Sequence, residues 1–167
     1  MAKEEKVLYQ EIFTALNKSK VNYAVCGGFA VIFYGYTRLT MDLDLIVSLE
    51  KNNLEKIWNV LIGLNYKPQI PIKKEEFVDK DTLNNFSKEK EMKVVSFYNT
   101  KEHFKVVDIG VNLPNIEKIL DKKNNEKING LRVPIIRIND LIKMKEDLAR
   151  PRDIVDVENL KKISKKK

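Results

Sequence analysis

Two aspartates, Asp42 and Asp44, stand one residue apart at the head of the apolar run Leu43 to Val47. Upstream, the short apolar run Val21 to Cys26 ends abruptly at Gly27-Gly28. This pairing constrains the fold more than any other feature of the chain. Both runs are short and partly β-branched, so they read as strands, Val21 to Cys26 and Met41 to Val47. Side chains alternate along a strand, so Asp42 and Asp44 share one face while Leu43, Leu45 and Val47 take the other. The two aspartate Cα atoms are then about 6.5–7 Å apart. At an effective dielectric near 20, unit charges at that distance repel by roughly 2–2.5 kcal/mol. A chain accepts that cost when both groups face open water, or when a cation lies between them. Mg²⁺ is the natural cation, because it is held by a few carboxylates together with substrate phosphates.

A third carboxylate has the same setting. Asp108 lies inside KVVDIGV, Lys105 to Val111, another apolar β run. If that strand lies beside Met41 to Val47, three carboxylates share one face. Such a set holds one or two divalent ions, which suits an in-line phosphoryl displacement. The ordinary alternative is the polar face of an amphipathic strand.

Gly27-Gly28 lies between a strand and the helical stretch Phe29 to Tyr34. Glycines there let backbone N–H groups approach a ligand closely, and a helix start favours anions. The alternative is a tight turn that needs a positive φ. Arg38 and Thr40 lie between the glycines and the aspartates. Arg38 suits a phosphate through its planar fork, or serves as a partner of Asp42 or Asp44. Thr40 is equally a plain β-former. Lys145 falls on the apolar stripe of Leu141 and Leu148. It either reaches into a cleft or snorkels to water.

The rest of the chain supplies helices and more strands. Leu8, Ile12, Ala15 and Leu16 predict a helix over 4–17, and Leu54, Ile57, Trp58, Leu61 and Ile62 give the clearest helical stripe. Residues 67–92 are polar and read as loops with short elements. Lys93 to Tyr98 pairs with Lys105 to Val111 as a hairpin around Asn99-Thr100-Lys101. Leu131 to Ile136 reads as an edge strand, because Pro134 lacks an N–H. Two helices close the chain. The first carries Leu141, Ile142, Lys145 and Leu148. The second begins near Pro151 and carries Ile154, Val155, Val157, Leu160 and Ile163. Lys143, Lys145, Arg150 and Arg152 mix there with Asp147, Asp153 and Asp156, a pattern of weak surface ion pairs. The order predicts an α+β domain with a small mixed sheet flanked by helices, spanning 1–160, followed by a lysine-rich flexible tail over 161–167.

Composition narrows the classes. The chain has 167 residues, enough for one core, with 43% hydrophobic and 33% charged residues. The net charge is +7, but five of those charges are lysines in the last seven residues, leaving +2 over 1–160. The single cysteine, Cys26, forbids an intrachain disulfide, and the single histidine, His103, excludes a His-rich metal site. No apolar run approaches the ~20 residues that span a bilayer, and the start MAKEEKVLYQ lacks a signal-peptide core. A cytoplasmic protein is the expectation. G-x-x-x-x-G-K-[ST] and G-x-G-x-x-G are both absent, as are zinc deaminase and metalloprotease ligands. In metal-binding glycosyltransferases the apolar run precedes D-x-D, whereas here it follows. Dehalogenase-like phosphatases fail on Leu45 and Ile46 after Asp44.

Taken together, Gly27-Gly28, then Arg38-x-Thr40-x-Asp42-x-Asp44, then Asp108 on a later strand, resemble the nucleotidyltransferase superfamily of DNA polymerase beta type. The version with two glycines and R-x-T-x-D-x-D is similar to the small members, including those related to AbiEii-type toxins of toxin–antitoxin systems. The segment RINDLIKMKEDLARPRDIVDVENL carries that subgroup's lysine helix followed by R-x-x-D-x-x-D. The resemblance covers about Val21 to Leu160. It implies a polymerase beta palm-like sheet with C-terminal helices. It also implies transfer of a nucleoside monophosphate from a nucleoside triphosphate, ATP among them, to an acceptor hydroxyl, releasing pyrophosphate. Asp42, Asp44 and Asp108 would bind Mg²⁺ or Mn²⁺, and Asp108 would help take the acceptor proton. Gly27 and Gly28 would hold the triphosphate, with Arg38, Thr40 and Lys145 as further nucleotide contacts. An antitoxin-like partner belongs to the same expectation. The acceptor (RNA, protein or small molecule), the base and the oligomeric state stay open. The competing reading is a catalytically inert module of the same fold that binds nucleotide or a partner.

Overall fold

The computed structural model describes residues 7–166. In chain order the elements are α1 (Gln10–Lys18), β1 (Tyr23–Cys26), α2 (Gly27–Phe33), β2 (Leu43–Val47) and α3 (Lys51–Gly63). Next come β3 (Tyr66–Pro68), α4 (Lys74–Phe77), α5 (Lys80–Glu89), β4 (Val94–Asn99) and β5 (Val106–Gly110). The chain closes with α6 (Ile116–Asp121), β6 (Asn124–Ile128), β7 (Leu131–Ile135), α7 (Ile138–Leu148) and α8 (Pro151–Lys165). The seven strands form one mixed sheet in the order β3-β4-β5-β2-β1-β7-β6. This is the expected α+β architecture with C-terminal helices.

The centre of the sheet follows from burial. Tyr23, Ala24 and Val25 of β1, Leu43 and Leu45 of β2, and Val107 and Ile109 of β5 are all buried. β1 and β2 run antiparallel, with Cys26 opposite Asp44. β2 and β5 run parallel, with Asp44 opposite Asp108. The expected β4–β5 hairpin forms, placing Ser96 opposite Asp108. α3 buries Leu54, Ile57 and Leu61 of the stripe read from the sequence, with Trp58 half-buried and Ile62 exposed.

Four expectations need correction. Residues 67–92 are more ordered than loops. Trp58, Phe77 and Phe97 pack pairwise with ring centroids 5.5–5.8 Å apart, which anchors α4 between α3 and β4. Asp79 then caps α5, accepting from the Thr82 N–H at 2.9 Å. Second, β7 is not an edge strand. It lies between β1 and β6, and the hairpin to β6 turns at Asn129-Gly130, both with positive φ. Pro134 is tolerated because N–H direction alternates along a strand. Ile136 donates to Val25, so position 134 faces the same side, where β1 and β7 share a single register pair. Third, α8 buries Asp153, Asp156, Val157 and Leu160, while Ile154 is 60% exposed and Val155 46%. Fourth, α8 continues through Lys165, so most of the segment assigned to a tail is helical. The first helix was expected from Glu4; residues 1–6 lie outside those described, and α1 starts at Gln10. Among the described residues, no helix is long and apolar enough to cross a membrane.

Candidate active site

A cleft of about 600 Å³ opens over the ends of β1, β2 and β5 and is closed on one side by α7 and the start of α8. Its lining includes Gly27, Gly28, Arg38, Thr40, Asp42, Asp44, Asp108 and Lys145. All eight residues singled out in the sequence therefore meet in one place.

The floor comes from strand register. Asp44 and Asp108 sit directly opposite each other on neighbouring parallel strands. Asp42 precedes β2, so it belongs to the approach loop rather than to the strand, and it is exposed. Burial pushes the Asp44 carboxyl up to about 7, and the nearby charges of Asp108 and Asp42 push the same way, against Lys145 and Arg150. Burial also raises Asp108, opposed by a hydrogen bond in which Ser96 Oγ donates to Oδ1 at 2.5 Å. These directions describe an anionic cluster short of positive charge. Among the described residues no three His, Cys, Asp or Glu side chains are arranged so that together they could hold a metal ion. The chemical type of the donors, though not their present arrangement, suits a hard divalent ion. The three carboxylates offer oxygen donors whose mutual repulsion is of the kind a cation relieves, while the Cys26 thiol, which also lines the cleft opposite Asp44, is pushed up by burial and stays neutral.

The glycines are required by close approach. Gly27 has φ +62°, and a Cβ there would fall 2.1 Å from Asp44 Oδ2. A Cβ on Gly28 would fall 2.5 Å from Thr40 Oγ1 and 2.9 Å from Arg38 Nη2. Each glycine thus leaves room for another residue of the cleft. Thr40 lies in a loop, outside any strand.

Arg38 and Lys145 belong to a buried charge network. Arg38 pairs with Asp156 through both Nε at 2.8 Å and Nη2 at 3.0 Å, and not with Asp42 or Asp44. Lys145 Nζ lies 2.7 Å from Asp156 Oδ2 and 3.2 Å from Asp153 Oδ1. Arg150 Nε donates to Asp153 Oδ2 at 2.6 Å. Lys145 is 3% exposed, and Asp153 and Asp156 are fully buried. The expectation of weak surface pairs fails here, since breaking a buried pair typically costs about 3–5 kcal/mol. The spacing of three residues puts Asp153 and Asp156 on one helical face, turned inward in place of Ile154 and Val155.

Two supporting groups went unread in the sequence. Ser96 is legible only once β4 and β5 are in register. The Tyr9 hydroxyl, fully buried, donates to the Met41 carbonyl at 2.5 Å and accepts from the Val106 N–H at 3.0 Å. It ties the residue before Asp42 to the strand that carries Asp108.

No family model matches the chain, and no curated protein matches it. Solved structures do. The lincosamide antibiotic adenylyltransferase LnuA, with lincomycin bound, superposes with a TM-score of 0.63 at 17% identity, covering 95% of this chain and 99% of LnuA. ANT(2'')-Ia in complex with adenylyl-2''-tobramycin gives 0.57 at 13% identity, with 92% and 84% covered. An antigenic nucleotidyltransferase-like protein from Paracoccidioides brasiliensis gives 0.55 at 14% identity, with 89% and 71% covered. The chain has the nucleotidyltransferase fold.

Proposed function

We propose that the protein is a nucleotidyltransferase that moves a nucleoside monophosphate from a nucleoside triphosphate to an acceptor hydroxyl and releases pyrophosphate. The observation that carries this reading is the facing pair Asp44 and Asp108, in register across β2 and β5 and set beside Gly27-Gly28 in one cleft. The nucleotidyltransferase fold, and neighbours that include a lincosamide antibiotic adenylyltransferase and a protein in complex with adenylyl-2''-tobramycin, support it.

Asp42, Asp44 and Asp108 would hold Mg²⁺ or Mn²⁺, which when bound supplies Lewis-acid stabilisation of phosphoryl charge. Gly27 and Gly28, at the start of α2 and in the cleft lining, would contact the triphosphate through their backbone N–H groups. Lys145 presents a positive charge to the cleft, held in place by Asp153 and Asp156. Asp108 accepts the proton of the attacking hydroxyl, and Ser96 orients its carboxylate. The acceptor oxygen forms its bond to the α-phosphorus as the bond to the pyrophosphate oxygen breaks.

The test uses Mg²⁺ and α-labelled nucleoside triphosphates with a mixed pool of RNAs, proteins and small hydroxylated compounds. Label moves to an acceptor with the wild type and not with Asp44→Ala. Label moving only from γ-labelled ATP marks a kinase and sinks the proposal. Nucleotide binding with no label transferred marks the inert module.

A further inference from the structure

The strand order sorts the cleft into two halves. On the β1 side lie the glycines and, from α7 and α8, Lys145, Arg150 and Arg152, with the apolar Leu141, Met144 and Leu148 of α7 beside them. On the β5 and β4 side, next to Asp108, the wall is Val94, Gly110 and Leu113, with Met41 adjoining from the approach loop. Gly110 follows Asp108 by two residues on the same strand face. A Cβ at Gly110 would fall 2.7 Å from Leu113 Cδ1, so the Leu113 side chain lies flat over that glycine, beside Asp108. Val94 and Met41 remain exposed although both are apolar. Lys93 is the one cation on this side, and among the described residues no aromatic side chain lines the cleft.

Resting on the nucleotidyl-transfer reading, we propose that the acceptor is a small hydroxylated molecule with an apolar face. That face seats on Met41, Val94 and Leu113, and its hydroxyl points at Asp108. The half that holds the glycines and all but one of the cations lining the α7, α8 and β4–β5 sides is the natural place for the triphosphate, which leaves the half beside Asp108 for the acceptor. A single-stranded nucleic acid would need stacking aromatics and a run of phosphate-binding cations there. The acceptor half has neither. An apolar wall instead rewards burial of a hydrocarbon surface at about 25 cal/mol per Å².

A cell extract separated into small-molecule, RNA and protein fractions, each incubated with Mg²⁺, α-labelled triphosphates and the full-length protein, tests this. The expected result is label in the small-molecule fraction, absent with Asp44→Ala, on a product that a reversed-phase column retains longer than the free nucleotide. With that product's acceptor in hand, Val94→Lys raises the acceptor KM by about tenfold or more relative to its effect on the triphosphate KM, equivalent to about 1.4 kcal/mol. Should Val94→Lys fail to fold, Met41→Lys makes the same measurement. Asp44-dependent label on RNA or protein overturns the inference and leaves the transferase reading standing. RNA would then point to the neighbouring groove of Lys80, Lys88 and Lys118, which meets the cleft at Leu113. A labelled product no better retained than nucleotide, or an acceptor KM unmoved in the variant, also overturns it. No Asp44-dependent label on any fraction removes the transferase reading itself.

Discussion

Two groups of carboxylates, one lining the cleft and one buried behind Lys145 and Arg150, are built on opposite terms. Asp153 and Asp156 are fully buried, yet each is matched by cations: Arg150 and Lys145 for the first, Arg38 and Lys145 for the second. Asp44 and Asp108 are less buried, yet they face each other without a cation between them: the strongest neighbours of Asp44 are Asp108 and Asp42, and Asp108 is relieved chiefly by the Ser96 hydroxyl. The matched group fastens helices α7 and α8 to the approach loop. The unmatched group keeps a standing demand for positive charge. Compensation, rather than burial, separates the carboxylates that hold the fold from those available to a ligand.

The largest effect expected from breaking this contrast is on the matched side. Asp156→Ala leaves Arg38 and Lys145 without their shared partner, and stability should fall by about 3–5 kcal/mol. Urea denaturation measures it, and a loss below about 1 kcal/mol would erase the distinction. On the unmatched side, Asp44→Asn should behave inversely. Transfer should drop by at least ~100-fold, while the metal-free protein at neutral pH becomes more stable, read as a rise in the urea midpoint.

The pH dependence follows from the same group. Asp44 is pushed up to about 7 from its ordinary 3.8, so the folded state holds a proton in that window that the unfolded chain has lost. The stabilisation tied to that proton is complete below about 4 and fades as pH rises through about 7. Stability of the metal-free protein, followed by thermal melts across this range, should fall accordingly. Asp44→Asn should remove that component, and Mg²⁺ should oppose the fall in the wild type. A curve that is the same in wild type and variant would contradict the assignment.

Smaller effects sharpen the picture. Gly27→Ala must adopt a left-handed backbone, costing about 1–2 kcal/mol, and its Cβ would displace Asp44. Activity should therefore fall more steeply than stability, a ratio that paired kinetic and melting measurements give. Lys161→Ala removes an exposed pair with Glu146 and should change stability by less than about 0.5 kcal/mol. It is the control for the buried network.

What the sequence disclosed was governed by distance along the chain. The glycine turn, the closely spaced Asp42 and Asp44, and the apolar setting of Asp108 are local patterns, and the structure brings these residues to one cleft, although Asp42 falls in the loop before β2 rather than in strand alternation with Asp44. The β6–β7 hairpin was also local. Its Asn129-Gly130 signal stood in the sequence and went unread, so Pro134 pointed to an edge strand. The pairing of Arg38 with Asp156 spans 118 positions. Nothing near either residue announces it. The two aspartates of α8 looked like a solvated face because helical spacing alone does not say which face turns inward. The toxin–antitoxin association rests on sequence resemblance alone.

The Tyr9 hydroxyl carries a consequence for how the molecule acquires its cleft. It joins positions 32 and 97 residues away along the chain. No fragment lacking either end of that span can set Asp42 against Asp108. The relative placement of the approach loop and β5 therefore depends on α1 being docked, and no local hairpin supplies it. Tyr9→Phe, which keeps the ring and removes the hydroxyl, would uncouple the two: a chain that still folds, with a looser cleft.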